Sequence, residues 1–107
     1  MTYEQVVAKI KDKFVDADAS KIDGVVALQI NLEGKNTQGI FYIEVKDHSV
    51  NVEPYDYIDR SALVTINPTN LMKLVDGKLT LAKAISTDKI AIEGSEDAVK
   101  TVLSLVK

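Results

Sequence analysis

A chain of 107 residues is long enough for one hydrophobic core and too short for two. Its 46% hydrophobic and 27% charged residues give a globular balance and exclude a disordered or fibrous chain. A net charge of −3, with Arg60 as sole arginine among scattered lysines, excludes the clustered basic face that nucleic-acid backbones require.

No cysteine is present, which excludes a disulfide framework, a thiol nucleophile and a cysteine zinc site. Met1-Thr2-Tyr3-Glu4-Gln5 is polar where a secretory signal needs a basic start and an apolar stretch. The apolar runs are a few residues long, so no membrane span is expected. Leu105-Val106-Lys107 is not a peroxisomal signal, and the expected location is the cytoplasm.

Thr2 and Gln5 stand at capping-box spacing. Tyr3, Val6, Val7, Ile10 and Phe14 then recur every three or four residues, with Lys9, Lys11, Asp12 and Lys13 on the other face. The spacing predicts an amphipathic helix with one buried stripe. Residues 16–24 are polar and read as a loop.

From Val25 the period falls to two. Val26, Leu28, Ile30 and Leu32 alternate with Ala27, Gln29 and Asn31, and Glu33-Gly34-Lys35-Asn36 makes a turn. Phe41, Ile43 and Val45 then alternate with Tyr42, Glu44 and Lys46, and Asp47-His48 turns the chain into Val50 and Val52. Alternation with short polar connections predicts an antiparallel meander with one buried face. A loop from Pro54 to Arg60 leads to a fourth strand, Ala62 to Ile66.

Asn67 suits an N-cap and Pro68 the first helical position, where its missing N–H costs nothing. Leu71, Leu74 and Val75 form a stripe, and Gly77 stands where a left-handed residue ends a helix. Thr80 can cap a short helix carrying Leu81, Ala84 and Ile85. Ile90 and Ile92 mark a fifth strand. Gly94-Ser95 opens a last helix whose Glu96 and Asp97 complement the positive end of its dipole. Its apolar positions are Ala98, Val99, Val102, Leu103, Leu105 and Val106.

The order α-β-β-β-β-α-α-β-α predicts an α+β fold, a five-stranded and largely antiparallel sheet with helices on one face. No repeat or linker divides the chain, so residues 1–107 are expected to form one domain.

Chemistry-bearing constellations are sparse. His48, the single histidine, follows Asp47 at a hairpin tip and reads as a solvated turn residue. Asp16-x-Asp18-x-Ser20 imitates the start of a calcium loop. Lys21 then falls where glycine is needed, and Ala27 where a bidentate glutamate is needed. Ser61, Ser86, Ser95 and Ser104 lack a nucleophile elbow, and the isolated glycines make no phosphate loop. Asp56 and Asp59, beside Tyr55 and Tyr57, read as a wet connection. Neither enzyme activity nor a metal or cofactor is expected.

From about Asp23 onward the chain resembles the sterol carrier protein 2 (nonspecific lipid-transfer) family. The residues that carry the resemblance are Leu63-Val64-Thr65-Ile66, then Leu71-Met72-Lys73-Leu74-Val75-Asp76-Gly77-Lys78. Ala84 and Ile85 follow, and then Thr87-Asp88-Lys89-Ile90-Ala91-Ile92-Glu93-Gly94. Upstream, Asp23-Gly24-Val25-Val26 corresponds to the glycine-apolar start of the first strand. The chain departs from the family pattern in having Ser61 for an aspartate, Leu81 for a proline and Asp88 for a second glycine. Aspartate tolerates left-handed geometry, so the turn at Asp88 is expected to survive.

The resemblance implies an apolar tunnel between the sheet and the later helices, holding lipid with little selectivity. Leu71, Leu74, Leu81, Ile85, Val99, Val102 and Leu103 are the expected walls, although each also suits a plain core. The ligand would be a fatty acid, acyl-CoA, sterol-like or other hydrophobic molecule. The alternatives are an interaction or dimerisation module using the last helix, and an accessory domain for an enzyme acting on hydrophobic substrates. An empty hollow of about 300 Å³ would cost about 7 kcal/mol at about 24 cal/mol per Å³. That rivals the stability of a small domain. The unliganded pocket is therefore expected to shrink, to retain a lipid or to be closed by a lid, for which the last helix is the candidate.

Overall fold

The computed structural model describes residues 1–106. Helix α1 spans Tyr3–Phe14, with the Thr2–Gln5 capping box formed in both directions. Strands β1 (Val26–Leu32), β2 (Gly39–Lys46), β3 (Ser49–Glu53) and β4 (Ala62–Ile66) follow. Helices α2 (Pro68–Val75) and α3 (Leu81–Ser86), strand β5 (Ile90–Gly94) and helix α4 (Glu96–Leu103) complete the order, which agrees with the sequence reading.

The sheet order is β3-β2-β1-β4-β5. Every neighbouring pair is antiparallel except β1 and β4. The parallel pair has a simple geometric origin. Glu53, Tyr42, Gln29 and Leu63 form one row across the sheet, because each is the register partner of the next. Strand β3 therefore ends at the level where β4 begins. The connection of residues 54–61 has only to travel sideways, across three strand spacings or roughly 14 Å. A parallel crossover ordinarily takes a dozen or more residues because it must run back the length of a strand. Here the stagger removes that requirement.

One face of the sheet is apolar: Leu28, Ile30, Leu32, Phe41, Ile43, Val45, Val52, Ala62, Val64 and Ile66 are all buried. The helices supply Val6, Ile10, Phe14, Leu71, Leu74, Val75, Ala84, Ala98, Val99 and Val102 to the same buried cluster. Helix α1 lies over β3 and beside α2, while α4 lies over β1 and β4. Burying side chains of this size contributes about 1.5–3 kcal/mol each, which makes this layer the main source of stability.

Local signals hold at most boundaries. The side chains of Asn67, Thr80 and Ser95 each accept a backbone N–H three residues on. Asp88 adopts φ +56°, as expected for a left-handed turn without glycine. Asp47 and His48 both take positive φ, as a two-residue type I′ hairpin requires. At Gly39 the constraint is spatial, since a Cβ there would come within 2.3 Å of the Tyr3 ring.

The last helix is shorter than its apolar stripe. It ends at Leu103, and Leu105 and Val106 lie beyond it. The Ser104 hydroxyl donates to Thr101 O at 2.6 Å. The N–H groups of Leu105 and Val106 bond three residues back, to Val102 O and Leu103 O. The chain thus tightens into a 3₁₀-type turn instead of continuing as α-helix.

Candidate functional site, an apolar groove beside helix α4

Helix α2 ends at Val75 with Asp76 as its C-cap, and Gly77 adopts φ +74°. The N–H groups of Lys78 and Leu79 then both return to Lys73 O, at 2.8 and 3.2 Å. This tight reversal, which spends a glycine on a left-handed conformation, carries Leu79 back beneath the helix end. Thr80 immediately starts α3. A depression of about 320 Å³ lies between this reversal and α4, lined by Leu74, Gly77, Leu79, Thr80, Leu81, Lys100, Leu103 and Ser104.

A second depression of about 340 Å³ shares Leu74, Gly77 and Leu103 with the first and adds Lys13, Val75, Asp76 and Val106. The two are lobes of one groove. Each volume falls at the lower end of the range for small-molecule sites, about 300–1,000 Å³.

The expected tunnel residues divide between two places. Leu71, Val99 and Val102 are sealed in the core, Val102 with no exposed surface at all. Leu74, Leu81 and Leu103 line the groove. Ile85 is half-buried on α3 and lines neither lobe. Sequence reasoning missed Leu79, Thr80 and Lys100. Leu79 carried a usable signal, an apolar residue between a helix-ending glycine and the N-cap Thr80 of the next helix.

Charge is unevenly placed around the groove. Lys13 Nζ meets Asp76 Oδ1 at 2.5 Å, and its hydrogen bond holds the Asp76 carboxyl below the usual carboxylate range. Lys100 faces Glu96 at 3.9 Å, with both side chains more than half exposed. Pairs of that kind contribute little.

The opposite face of the sheet is polar and partly roofed by residues 54–61. Tyr57 N–H donates to Gln29 Oε1 at 3.0 Å, and its hydroxyl donates to Glu44 Oε2 at 2.6 Å. That second bond, with desolvation, pushes the phenol pKa up to about 12. The Tyr57 ring meets Tyr42 edge-on at 5.2 Å. Ser61 keeps a polar role in place of the family's aspartate, because its Oγ accepts Ala27 N–H at 3.1 Å.

A larger hollow of about 630 Å³ lies beside the β1–β2 hairpin. Its lining mixes Asn31, Glu33 and Gln38 with Leu32 and Ile40. In the calcium-like stretch, Asp18 Oδ1 accepts Ser20 N–H at 3.0 Å as an Asx-turn. His48 Nδ1 lies 3.3 Å from Ala19 O at the hairpin tip. Among the described residues no cluster of three His, Asp or Glu could hold a metal ion. No described helix is long and apolar enough to cross a membrane.

This geometry, a mixed sheet with one helical layer and a leucine-lined groove in that layer, defines a small α+β domain. The chain belongs to the SCP-2 sterol transfer family, whose model matches residues 4–107. A search of curated proteins found no match. Among solved structures the chain is similar to the palmitated SCP2L2 of Aedes aegypti, at 18% identity and TM-score 0.69, covering 97% of this chain and 93% of that one. It is also similar to the ubiquinone synthesis protein UbiJ-SCP2, at 16% identity and TM-score 0.71, covering 96% and 90%. A third likeness is to the inverting sec-alkylsulfatase Pisa1 of a Pseudomonas species, at 13% identity and TM-score 0.79. That match covers 89% of this chain, which spans 15% of the sulfatase's length. At these identities the structures show a shared fold.

Proposed function

We propose that this chain is a non-enzymatic carrier that binds a hydrophobic ligand between its sheet and C-terminal helices. The ligand is a fatty acid, acyl-CoA, sterol-like or other lipid, and the expected setting is the cytoplasm. The observation that carries the reading is the groove at Leu74, Leu79, Leu81 and Leu103 in a member of a lipid-transfer family. The palmitated state of the Aedes aegypti relative supports it.

Leu74, Leu81 and Leu103 are the outer walls in this proposal. Leu71, Val99 and Val102 become walls only when α4 lifts from the sheet, which makes α4 the lid. Closing that space in the unliganded protein avoids the cavity cost of about 24 cal/mol per Å³. Burial of each ligand methylene then contributes about 0.8 kcal/mol, so a long acyl chain can bind without specific hydrogen bonds.

A second reading, an accessory domain for an enzyme acting on hydrophobic substrates, draws support from the likeness to part of the sec-alkylsulfatase. Dimerisation at this end would have to use Leu105 and Val106, just beyond the last helix, since Val102 is occupied by the chain's own core.

Native mass spectrometry of purified protein, with lipid extraction, tests the carrier reading. A bound lipid, or displacement of a fluorescent fatty acid by acyl ligands, is the expected result. Protein that carries no lipid and binds none of a range of acyl ligands would remove the basis for it.

A further inference from the structure

The sheet has two edges, β3 and β5. Edge strands ordinarily discourage pairing with another chain through a proline, a bulge or an inward-pointing charge. Strand β5 has no proline, and its register with β4 runs unbroken from Ile90 to Gly94.

Which backbone groups leave that edge follows from two hydrogen bonds of β4. Glu33 N–H donates to Ile66 O at 2.9 Å, so the Ile66 carbonyl points toward β1 and away from β5. Ser95 N–H donates to Ser61 O at 2.9 Å, so the Ser61 carbonyl points toward β5. Antiparallel ladders alternate bonded and non-bonded pairs. Leu63–Glu93 and Thr65–Ala91 are therefore the bonded pairs, and Val64–Ile92 and Ile66–Ile90 are the others. The N–H and C=O groups of Ile90 and Ile92 point off the free edge.

Lys89-Ile90-Ala91-Ile92-Glu93 reads alike in both directions, except that its ends carry opposite charges. A second copy running antiparallel about a two-fold axis at Ala91 would exchange both backbone bonds between Ile90 and its own Ile92. Lys89 of each copy then faces Glu93 of the other. Both charges are exposed. Lys89 shares a depression with Thr65 and Ala91, and Glu93 shares one with Leu63, so both stand on the outer face. On the helical face, the half-buried Ile90 and Ile92 meet.

Other registers are poorer. An axis at Ile90 or Ile92 loses both ion pairs, and one at Lys89 or Glu93 sets like charges opposite each other, which is destabilising. At the β3 edge the same register about Asn51 sets Ser49 opposite Glu53, and Pro54 follows without an N–H.

We propose that β5 is a docking edge for a second copy of this chain, giving an isologous dimer whose sheet is continuous across both copies. The charge match between Lys89 and Glu93 selects that partner and its register. Such a contact buries less than about 1,200 Å², so the dimer is weak and forms at high concentration. It uses neither Leu105 nor Val106 and is independent of what fills the groove.

Sedimentation of the full chain from about 10 µM to about 1 mM, a range that reads weak association, tests the proposal. The mass should rise toward that of a dimer and no further. Raising the concentration should slow amide exchange at Ile90 and Ile92, whereas Ala91 and Glu93, already held by β4, should not change. Lys89→Glu and Glu93→Lys act at both ends of the contact and should each weaken association about tenfold. Mixed in equal amounts, the two variants should associate again, because every facing pair is then opposite in sign. The double variant should associate as the unaltered chain does. A chain that stays monomeric to about 1 mM overturns the proposal. So does association that neither charge reversal weakens, or concentration-dependent protection at β3 in place of β5. Growth past the dimer also overturns it, since that is what head-to-tail pairing of β3 with β5 would give.

Discussion

The Tyr57 hydroxyl donates a 2.6 Å hydrogen bond to Glu44 across the outer face of the sheet, and Tyr57 N–H bonds Gln29 in the neighbouring strand. This one residue fastens the crossover to β1 and β2 together.

Replacing Tyr57 with phenylalanine should therefore loosen residues 54–61 before it unfolds the core. The expected loss is about 0.5–1 kcal/mol, the range for a partly solvated hydrogen bond. Urea denaturation measures the loss, and amide exchange should show faster opening confined to the connection. Uniform loosening of β1 and β4 would contradict this account.

The same bond sets an alkaline limit. The Tyr57 phenol is raised to about 12 in the folded protein, against about 10 for a free tyrosine. Folding thus favours the protonated form. Its contribution is fully present below about pH 10 and is lost as pH climbs from there through about 12. Stability measured across that window should fall less steeply in Tyr57→Phe, and an identical slope in both proteins would rule the coupling out.

Two glycines should respond differently to alanine. At Gly77 a Cβ meets nothing within 4 Å, so the strain is that of φ +74° alone and the cost should be about 1 kcal/mol. At Gly94 the φ is +102°, and a Cβ would sit 2.6 Å from Ser61 O and 3.1 Å from Ala62 Cα. Backbone cannot move aside as a side chain can. Gly94→Ala should cost more than Gly77→Ala in chemical denaturation, with β4 and β5 the first strands to lose exchange protection.

Val102 and Leu103 are adjacent in sequence and opposite in role. Val102→Ala removes two methyl groups from a fully buried site and should cost about 2–3 kcal/mol with its cavity. Leu103→Ala, at the half-buried groove wall, should cost less stability and more ligand affinity. Paired melting and dye-binding curves separate the two effects. Equal losses of affinity in both variants would place the ligand deeper than the groove.

A bound acyl ligand should raise the melting temperature. Saturation at a hundredfold above Kd adds about 2.7 kcal/mol, or about 10 °C for a domain of this size. A pure interaction module would show no such rise.

The features readable along the chain were those decided by neighbours a few residues apart. Thr2, Asn67, Thr80 and Ser95 cap their helices through bonds that span three residues. The two-residue alternation of β1 and β2 assigns the buried face because successive side chains point to opposite sides. Asp88 could be placed in a left-handed turn from its own backbone tolerance. Tertiary structure alone decided that β4 lies parallel to β1, because that register pairs Leu28 with Ala62, 34 residues away in sequence. It also separated the leucines of α2: Leu71 is core, whereas Leu74 lines the groove with Leu79 and Leu103. Hydrophobic periodicity marks which residues leave water. Whether they meet the sheet or one another across a groove depends on how α2, the reversal at Gly77 and α4 pack, and no local pattern encodes that packing.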